Sequence, residues 1–256
     1  MQKLRLRYTK RGRLRFTSHR DIARAFERAL RRARVPMAYS AGFSPHPKVS
    51  WVGAAPTGVA SEAEYVEISL AVRVDPQRLG RDLDASLPAG IDVEELVEAT
   101  TGTSLPDRVQ ASVWSLVLPG VSPEVAQRAA ETFLAAESVP VVRLTKDGRR
   151  PLDARSPVVR LEVSADATDP HCATLMLVVR HVTPAVRPDD VLSGLRAVAG
   201  LVPPKPPEAT RLAQGPLAAN GEVDDPLAPD RAQREPGETR QDADLEQVVA
   251  GAQPQG

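Results

Sequence analysis

The chain has 256 residues, of which 42% are hydrophobic and 26% are charged, and this balance is ordinary for a globular protein. Its single cysteine, Cys172, excludes an internal disulfide and a cluster site built from several cysteines, and we expect no cofactor and no metal. No apolar run approaches the length of a membrane span, and the N-terminus lacks the apolar core of a signal peptide. We therefore expect a cytoplasmic protein with no membrane partner.

The net charge of zero conceals a strong gradient along the chain. Residues 1–50 contain fourteen Lys and Arg but only two acids, which gives this segment a charge of +12. Residues 51–110 carry −7 and residues 213–256 carry −6. Such asymmetry predicts a polyanionic partner for the basic segment, although arginine used only as a solubilising residue is the alternative interpretation.

The first unit begins with two runs of alternating apolar and basic residues, Leu4–Tyr8 and Leu14–Phe16, which predict a strand hairpin. Ser18 and Asp21 then form a capping-box variant that predicts the start of a helix, and Pro36 follows its end. In the predicted hairpin four arginines share the face opposite the apolar residues. These are Arg5, Arg7, Arg13 and Arg15. Further strands are predicted near 48–52, 63–72 and 91–99, and a second helix over 76–87.

This order of elements predicts an α+β fold with a ferredoxin-like N-terminal unit over 1–100. A second, smaller α+β unit is predicted over 108–202, and it could repeat the first architecture although no residue-level repeat is visible. Residues 203–256 begin with a polyproline spacer and continue as an acidic stretch without aromatic residues. They predict a linker and a disordered tail, with the ordered chain ending near Pro207.

Basic and aromatic residues are concentrated in the same part of the chain. Seven of the nine aromatic residues lie within the first 65 positions, where the arginine excess also lies. Cations that contact phosphates and aromatics that stack on bases are what single-stranded or looped RNA requires. The predicted RNA-binding residues are Arg5, Arg7, Arg13, Arg15, Arg20, Arg24, Arg28, Arg31, Tyr39, Phe43, Lys48 and Trp51.

Two histidines are candidates for chemistry, and each also has a structural explanation. His19 falls in the first turn of the predicted helix, where it could act as a base or simply bond to its own loop. His46 stands between Pro45 and Pro47, which restrict the backbone and suit either a preorganised site or a packed turn. No phosphate-binding loop, paired-histidine motif or nucleophile elbow accompanies them.

The stretch SHRDIARAFERALRRARVPMAYSAGFSPHPKVSW, followed by GVASEAEYVEISL, resembles the radical SAM-linked (radical SAM-associated) proteins, a domain of unknown function. A later stretch, TPAVRPDDVL (183–192), is similar to that family's Arg-Pro-Asp motif. The resemblance implies that the chain works with a radical SAM protein, encoded beside it or fused to it. This chain has no CxxxCxxC motif, so the radical SAM protein is expected to be a separate partner.

Together these features predict a non-catalytic accessory protein that binds or presents an RNA substrate, ribosomal or transfer RNA, to a radical SAM enzyme. Two alternatives remain open at this point. One is a metal-independent RNA-processing or RNA-modifying enzyme that uses His19 or His46. The other is a protein-interaction scaffold.

Overall fold

The computed structural model describes residues 1–146 and 148–232. The fold is α+β, as predicted, and is organised around an eight-stranded sheet. Its strands and helices in the first unit are β1 (Gln2–Lys10), α1 (His19–Arg32), β2 (Val49–Val52), β3 (Ala60–Leu70), α2 (Pro76–Asp84) and β4 (Val93–Glu98). The strand order is β4-β1-β3, and β2 pairs with residues 65–68 of β3. This order confirms the ferredoxin-like arrangement.

Local sequence explains the first strand and the first helix. Leu4, Leu6 and Tyr8 point from β1 into the first core, as their alternation predicts. Ser18 caps α1, because its Oγ accepts a hydrogen bond from the backbone N–H of Asp21 at 3.3 Å. The buried residues of α1 then recur at helical spacing and pack onto the same core. They are Ile22, Ala25, Phe26, Ala29 and Leu30.

The prediction of a second strand at Leu14–Phe16 is wrong. Residues Gly12–Phe16 form a short 3-10 helix instead. Strand β1 already pairs with β3 on one side and with β4 on the other, so neither of its edges is free for a hairpin partner. Arg13 and Arg15 consequently leave the sheet and do not share a face with the arginines of β1.

The second unit repeats the ferredoxin-like architecture. Its elements, after the short helix α3 (Leu105–Arg108), are β5 (Ala111–Leu118), α4 (Pro123–Ala135), β6 (Pro140–Thr145), β7 (Gly148–Asp153), β8 (Val158–Ala165), β9 (Ala173–Arg180), α5 (Pro188–Ala199) and β10 (Glu208–Gly215). The strand order β10-β5-β9-β8 matches that of the first unit, while β6 and β7 form a separate hairpin. Helices α4 and α5 cover the core around Leu116, Phe133 and Leu177.

The predicted end of the ordered chain near Pro207 is wrong for residues 208–232. Strand β10 completes the second unit along β5 and also pairs in parallel with the start of β3, so it joins the two units into one sheet. Its buried residues include Arg211 and Gln214. Because these buried positions are polar, the strand lacks the alternation of apolar and polar residues from which strands are predicted. Beyond it lies a short helix, α6 (Ala228–Ala232). The rest of the predicted tail, residues 233–256, lies outside the described residues.

The second face of the first unit's sheet is covered. Leu105, Val109 and Leu227 pack there against Tyr65 of β3 and Val97 of β4. The face of β1 opposite its apolar residues, where the alternation places Arg5 and Arg7, is therefore not an open basic surface. Within the part of the chain that the structure describes, no helix combines the length and the apolar character needed to cross a lipid bilayer.

Candidate nucleic-acid interface

Helix α1 turns a row of arginines toward solvent, as its spacing predicts. The exposed members on or just after the helix are Arg20, Arg24, Arg28, Arg31, Arg32 and Arg34. Two of them form loose ion pairs, Arg24 with Asp21 at 3.5 Å and Arg31 with Glu27 at 3.6 Å. Arg20 and Arg28 have no partner among the described residues, so their guanidinium groups are free for phosphate.

The arginines of β1 make contacts within the fold instead. Arg5 is only 3% exposed and its guanidinium donates hydrogen bonds to Asp230 at 2.8 and 2.9 Å and to Glu67 at 3.0 Å. Arg7 is half-buried and donates to the carbonyl oxygen of Glu62 at 3.1 Å. The predicted RNA contacts of both residues are therefore wrong, because neither cation is available on an open face.

The remaining two candidates, Arg13 and Arg15, both lie in the 3-10 helix but differ in exposure and in partners. Arg13 is exposed and has no partner among the described residues. Arg15 pairs with Glu208 of β10 at 3.0 Å, and its guanidinium lies 4.8 Å from the ring centre of the exposed Phe16. Acidic residues elsewhere in the chain thus neutralise part of the basic excess within the fold, whereas Arg20 and Arg28 of α1 stay unpaired among the described residues.

The segment 38–48 forms a small closed loop beside α1. The N–H of Ser40 donates to the carbonyl of His46 at 2.9 Å, and the N–H of His46 donates back to Ser40 Oγ at 3.1 Å. At the tip Phe43 is fully exposed, and Tyr39 is 55% exposed. Lys48, at the end of the loop, is also exposed. Two of the three predicted stacking aromatics are therefore accessible.

Trp51, the third predicted stacking residue, is half-buried and packs edge to face in the first core. Its ring centre lies 5.1 Å from that of Phe26, 6.1 Å from that of Tyr8 and 5.2 Å from that of His19. Trp51 is thus mainly a packing residue and not an open platform. The contact with Trp51 also gives His19 a structural role, although its ring remains partly exposed.

A groove of about 460 Å³ separates α1 from the loop. Its wall combines one turn of the helix with apolar and polar loop residues. The lining residues are Glu27, Leu30, Arg31, Val35, Met37, Tyr39, Pro45, His46 and Pro47. Arg31, Tyr39 and His46 are predicted site residues, and Pro45 and Pro47 were expected to restrict the loop. Glu27, Leu30, Val35 and Met37 were not predicted, although the i, i+3, i+4 spacing of 27, 30 and 31 was an available signal for the helix residues.

The structure does not bring the two candidate histidines together. His46 lines the groove beside Arg31, whereas His19 packs on Trp51 at the first turn of α1. Twelve helical residues separate His19 from Arg31, which is about 18 Å along the helix axis. The two histidines therefore lie in different surroundings, His46 in the groove and His19 against Trp51.

A different histidine makes the contact that is typical of a catalytic dyad. His181 Nε2 lies 2.7 Å from Ser112 Oγ, and its Nδ1 lies 3.0 Å from the carbonyl oxygen of Val109. Burial of the ring lowers the pKa of His181, which favours the neutral form in this contact. Ser112 is only 1% exposed, so its hydroxyl cannot reach a substrate, and the pair is structural. Within residues 1–146 and 148–232 no group of three or more His, Cys, Asp or Glu side chains could hold a metal ion.

Comparison with known proteins places most of both units in one family. A family model described as "Uncharacterized protein conserved in bacteria (DUF2344)" matches residues 3–188, and no curated protein matches the chain. The matched range contains α1, the loop and the groove, and it stops where α5 begins, so β10 and α6 lie beyond it. The chain belongs to the bacterial family DUF2344.

Proposed function

We propose that this protein is a non-catalytic accessory protein that binds RNA through α1 and the loop 38–48 and presents it to a radical SAM enzyme. The observation that carries the proposal is that α1 exposes a row of arginines, two of them without a partner among the described residues, and that the loop across the groove from α1 exposes Tyr39 and Phe43. Ribosomal and transfer RNA, which both contain unpaired loops, are the expected substrates.

The row of arginines on α1 carries a cost in electrostatic repulsion. Like charges four residues apart on an exposed helix repel each other by a few tenths of a kcal/mol. Arg20 and Arg28 receive no compensating partner among the described residues, so no ion pair within the fold accounts for these two cations. Phosphate groups would neutralise these cations and release counterions, and this contribution dominates binding to nucleic acids.

The loop supplies the second half of the interface. Tyr39 and Phe43 expose flat rings beside the cations, and stacking of one base on an aromatic ring contributes about 1–3 kcal/mol without selecting a sequence. A duplex would hide its base faces, so the combination favours single-stranded or looped RNA.

The radical SAM partner rests on the resemblance of Ser18–Leu70 to the radical SAM-linked proteins. One cysteine cannot hold an iron–sulfur cluster, so the radical chemistry would belong to a separate chain. Purification of the tagged protein from its native cells tests this part of the proposal. We expect mass spectrometry to find a radical SAM protein, and RNA sequencing to find one enriched RNA species.

The two alternatives predict different results in the same assays. An RNA-processing enzyme that uses His19 or His46 would consume or modify its bound RNA in the absence of any partner. A scaffold would retain a protein partner but show no RNA affinity that depends on salt. Binding without turnover, which the accessory role requires, is distinct from both.

The decisive test is the salt dependence of RNA binding, measured by fluorescence anisotropy with a mixed single-stranded RNA pool. The double variant Arg20→Gln/Arg28→Gln should bind more weakly, and the slope of log affinity against log salt should fall by about 0.7 for each lost phosphate contact. Arg149→Gln/Arg150→Gln, on the exposed hairpin of the second unit, removes the same charge and is the control. Equal slopes in both double variants, or no binding by the wild type at low salt, would reject this interface.

A further inference from the structure

Glu27 is an exception in the basic surface around α1. The first 50 residues contain only two acids, and the other, Asp21, accepts a hydrogen bond from the Ser18 hydroxyl and donates its backbone N–H to Ser18 Oγ at the start of the helix. Glu27 makes no such capping contact among the described residues. Its side chain is half-exposed, and its single side-chain partner among the described residues is Arg31 at 3.6 Å.

Glu27 lies where its carboxylate can contact a ligand bound in the groove. It lines the groove between α1 and the loop, next to Arg31 and across from loop residues such as Tyr39. A carboxylate accepts hydrogen bonds and repels phosphate, so it suits the donor groups of an RNA strand, which are the N–H groups of the base edges and the ribose 2′-hydroxyl. The remaining cations of α1 would hold the phosphates outside the groove.

The two oxygens of a carboxylate match a pair of parallel N–H donors. Among the four RNA bases, guanine alone carries two adjacent donors, N1–H and N2–H, on its Watson–Crick edge. Bases in unpaired segments are recognised at that edge, and hydrogen bonds to an ionised acceptor are roughly twice as strong as neutral ones. Adenine, cytosine and uracil each leave one of the carboxylate oxygens without a matching donor.

The other walls suit a flat heterocycle. Leu30, Met37 and Pro45 provide apolar contacts, and the volume of about 460 Å³ falls in the range of small-ligand sites. The ion pair between Glu27 and Arg31 is exposed, so its separation costs little, and Arg31 would then be free to contact the adjoining phosphate.

We propose that this groove is a specificity pocket for one unpaired guanine, with Glu27 accepting from its Watson–Crick edge. The inference rests on the proposed function, because the strand must first bind the arginines of α1. It goes beyond that function by naming the base that the protein selects and the residue that selects it.

Four labelled RNA pentamers test the pocket by fluorescence anisotropy: UUGUU, UUAUU, UUUUU and UUIUU, where inosine lacks the 2-amino group. Wild-type protein should bind UUGUU at least about tenfold more tightly than UUAUU or UUUUU, and the inosine pentamer should be intermediate. Glu27→Gln should lose this preference while binding UUUUU at least as well, because a negative charge has been removed. Glu137→Gln, an exposed acid without a partner among the described residues, should keep the preference.

The outcomes separate the pocket from the proposed function. Equal, salt-dependent affinity of the wild type for all four pentamers would overturn the guanine pocket and leave RNA binding intact. Retained preference in Glu27→Gln would overturn the role of Glu27. Absence of salt-dependent binding to every pentamer would overturn both the pocket and the RNA interface. Circular dichroism of each variant checks that the fold is preserved.

Discussion

Asp230, on α6, accepts two hydrogen bonds from the guanidinium of Arg5, on β1, at 2.8 and 2.9 Å. The carboxylate is completely buried and also accepts from Arg108 and from the backbone and hydroxyl of Thr100. This contact joins residues 225 positions apart and fixes the C-terminal segment to the first unit.

The first prediction concerns the removal of this carboxylate. Asp230→Asn leaves the buried Arg108 without a counter-charge and Arg5 with Glu67 alone, and breaking a buried pair in this way costs about 3–5 kcal/mol of unfolding free energy. Asp82→Asn, which removes an exposed partner of Arg78, should change stability by less than about 0.5 kcal/mol. Urea unfolding measures both. A loss below about 1 kcal/mol in Asp230→Asn would contradict the prediction.

The second prediction is a loss of stability in acid that depends on the same residue. Burial would raise the pKa of Asp230, but hydrogen bonds from Arg5, Thr100 and Arg108 outweigh it and hold the pKa below its usual value. The stabilising contribution is therefore complete above the unfolded pKa of about 3.9 and is lost as pH falls through the lower folded pKa. Between pH 6 and pH 3 the wild type should lose more unfolding free energy than Asp230→Asn. Parallel curves for the two proteins would show that the carboxylate is not the cause.

The third prediction concerns β10. A chain ending at Pro207 lacks Arg211, which pairs with the buried Glu64, and leaves one edge of β5, in the middle of the sheet, without a partner. We expect it to aggregate or to unfold without cooperativity, as measured by size-exclusion chromatography and thermal circular dichroism. A chain ending at Ala232 is the matched control because it retains β10 and α6. Equal melting temperatures would mean that β10 is dispensable.

The fourth prediction distinguishes the exposed aromatic from the packed one. Phe43→Ala should leave thermal stability unchanged and weaken RNA binding by about 1–3 kcal/mol, since Phe43 contacts solvent at the loop tip. Trp51→Ala should instead destabilise the fold by about 3 kcal/mol, because its ring contacts Phe26, Tyr8 and His19. Melting curves and anisotropy on the same two variants decide the matter, and an unchanged RNA affinity of Phe43→Ala would remove it from the interface.

Short-range patterns predicted the elements whose causes are local. The cap at Ser18 and the apolar spacing from Ile22 to Leu30 both lie within α1, and both are as predicted. The failures have distant causes. The run Leu14–Phe16 alternates like a strand, but both edges of β1 are occupied by segments at least 50 residues away. Arg5 looked exposed because its partner Asp230 stands at the other end of the chain.

One part of the candidate site was predictable from the sequence, and another part was not. Exposure of Arg20 and Arg28 follows from helical periodicity and was predictable from spacing alone. The groove was not, because it requires the loop to fold back so that Tyr39 and His46 face Leu30. The prolines on either side of His46 restrict that loop, but nothing in their spacing specifies the helix against which it packs.

The central position of β10 has a consequence for synthesis of the chain on the ribosome. The first unit contains all four of its own strands by Glu98 and can assemble while the rest is still being translated. The second unit must wait until its fourth strand, Glu208–Gly215, has emerged. Until then the growing chain exposes an unpaired edge on β5, which is a template for association with neighbouring nascent chains. Chaperone dependence should therefore be concentrated in the final stage of translation.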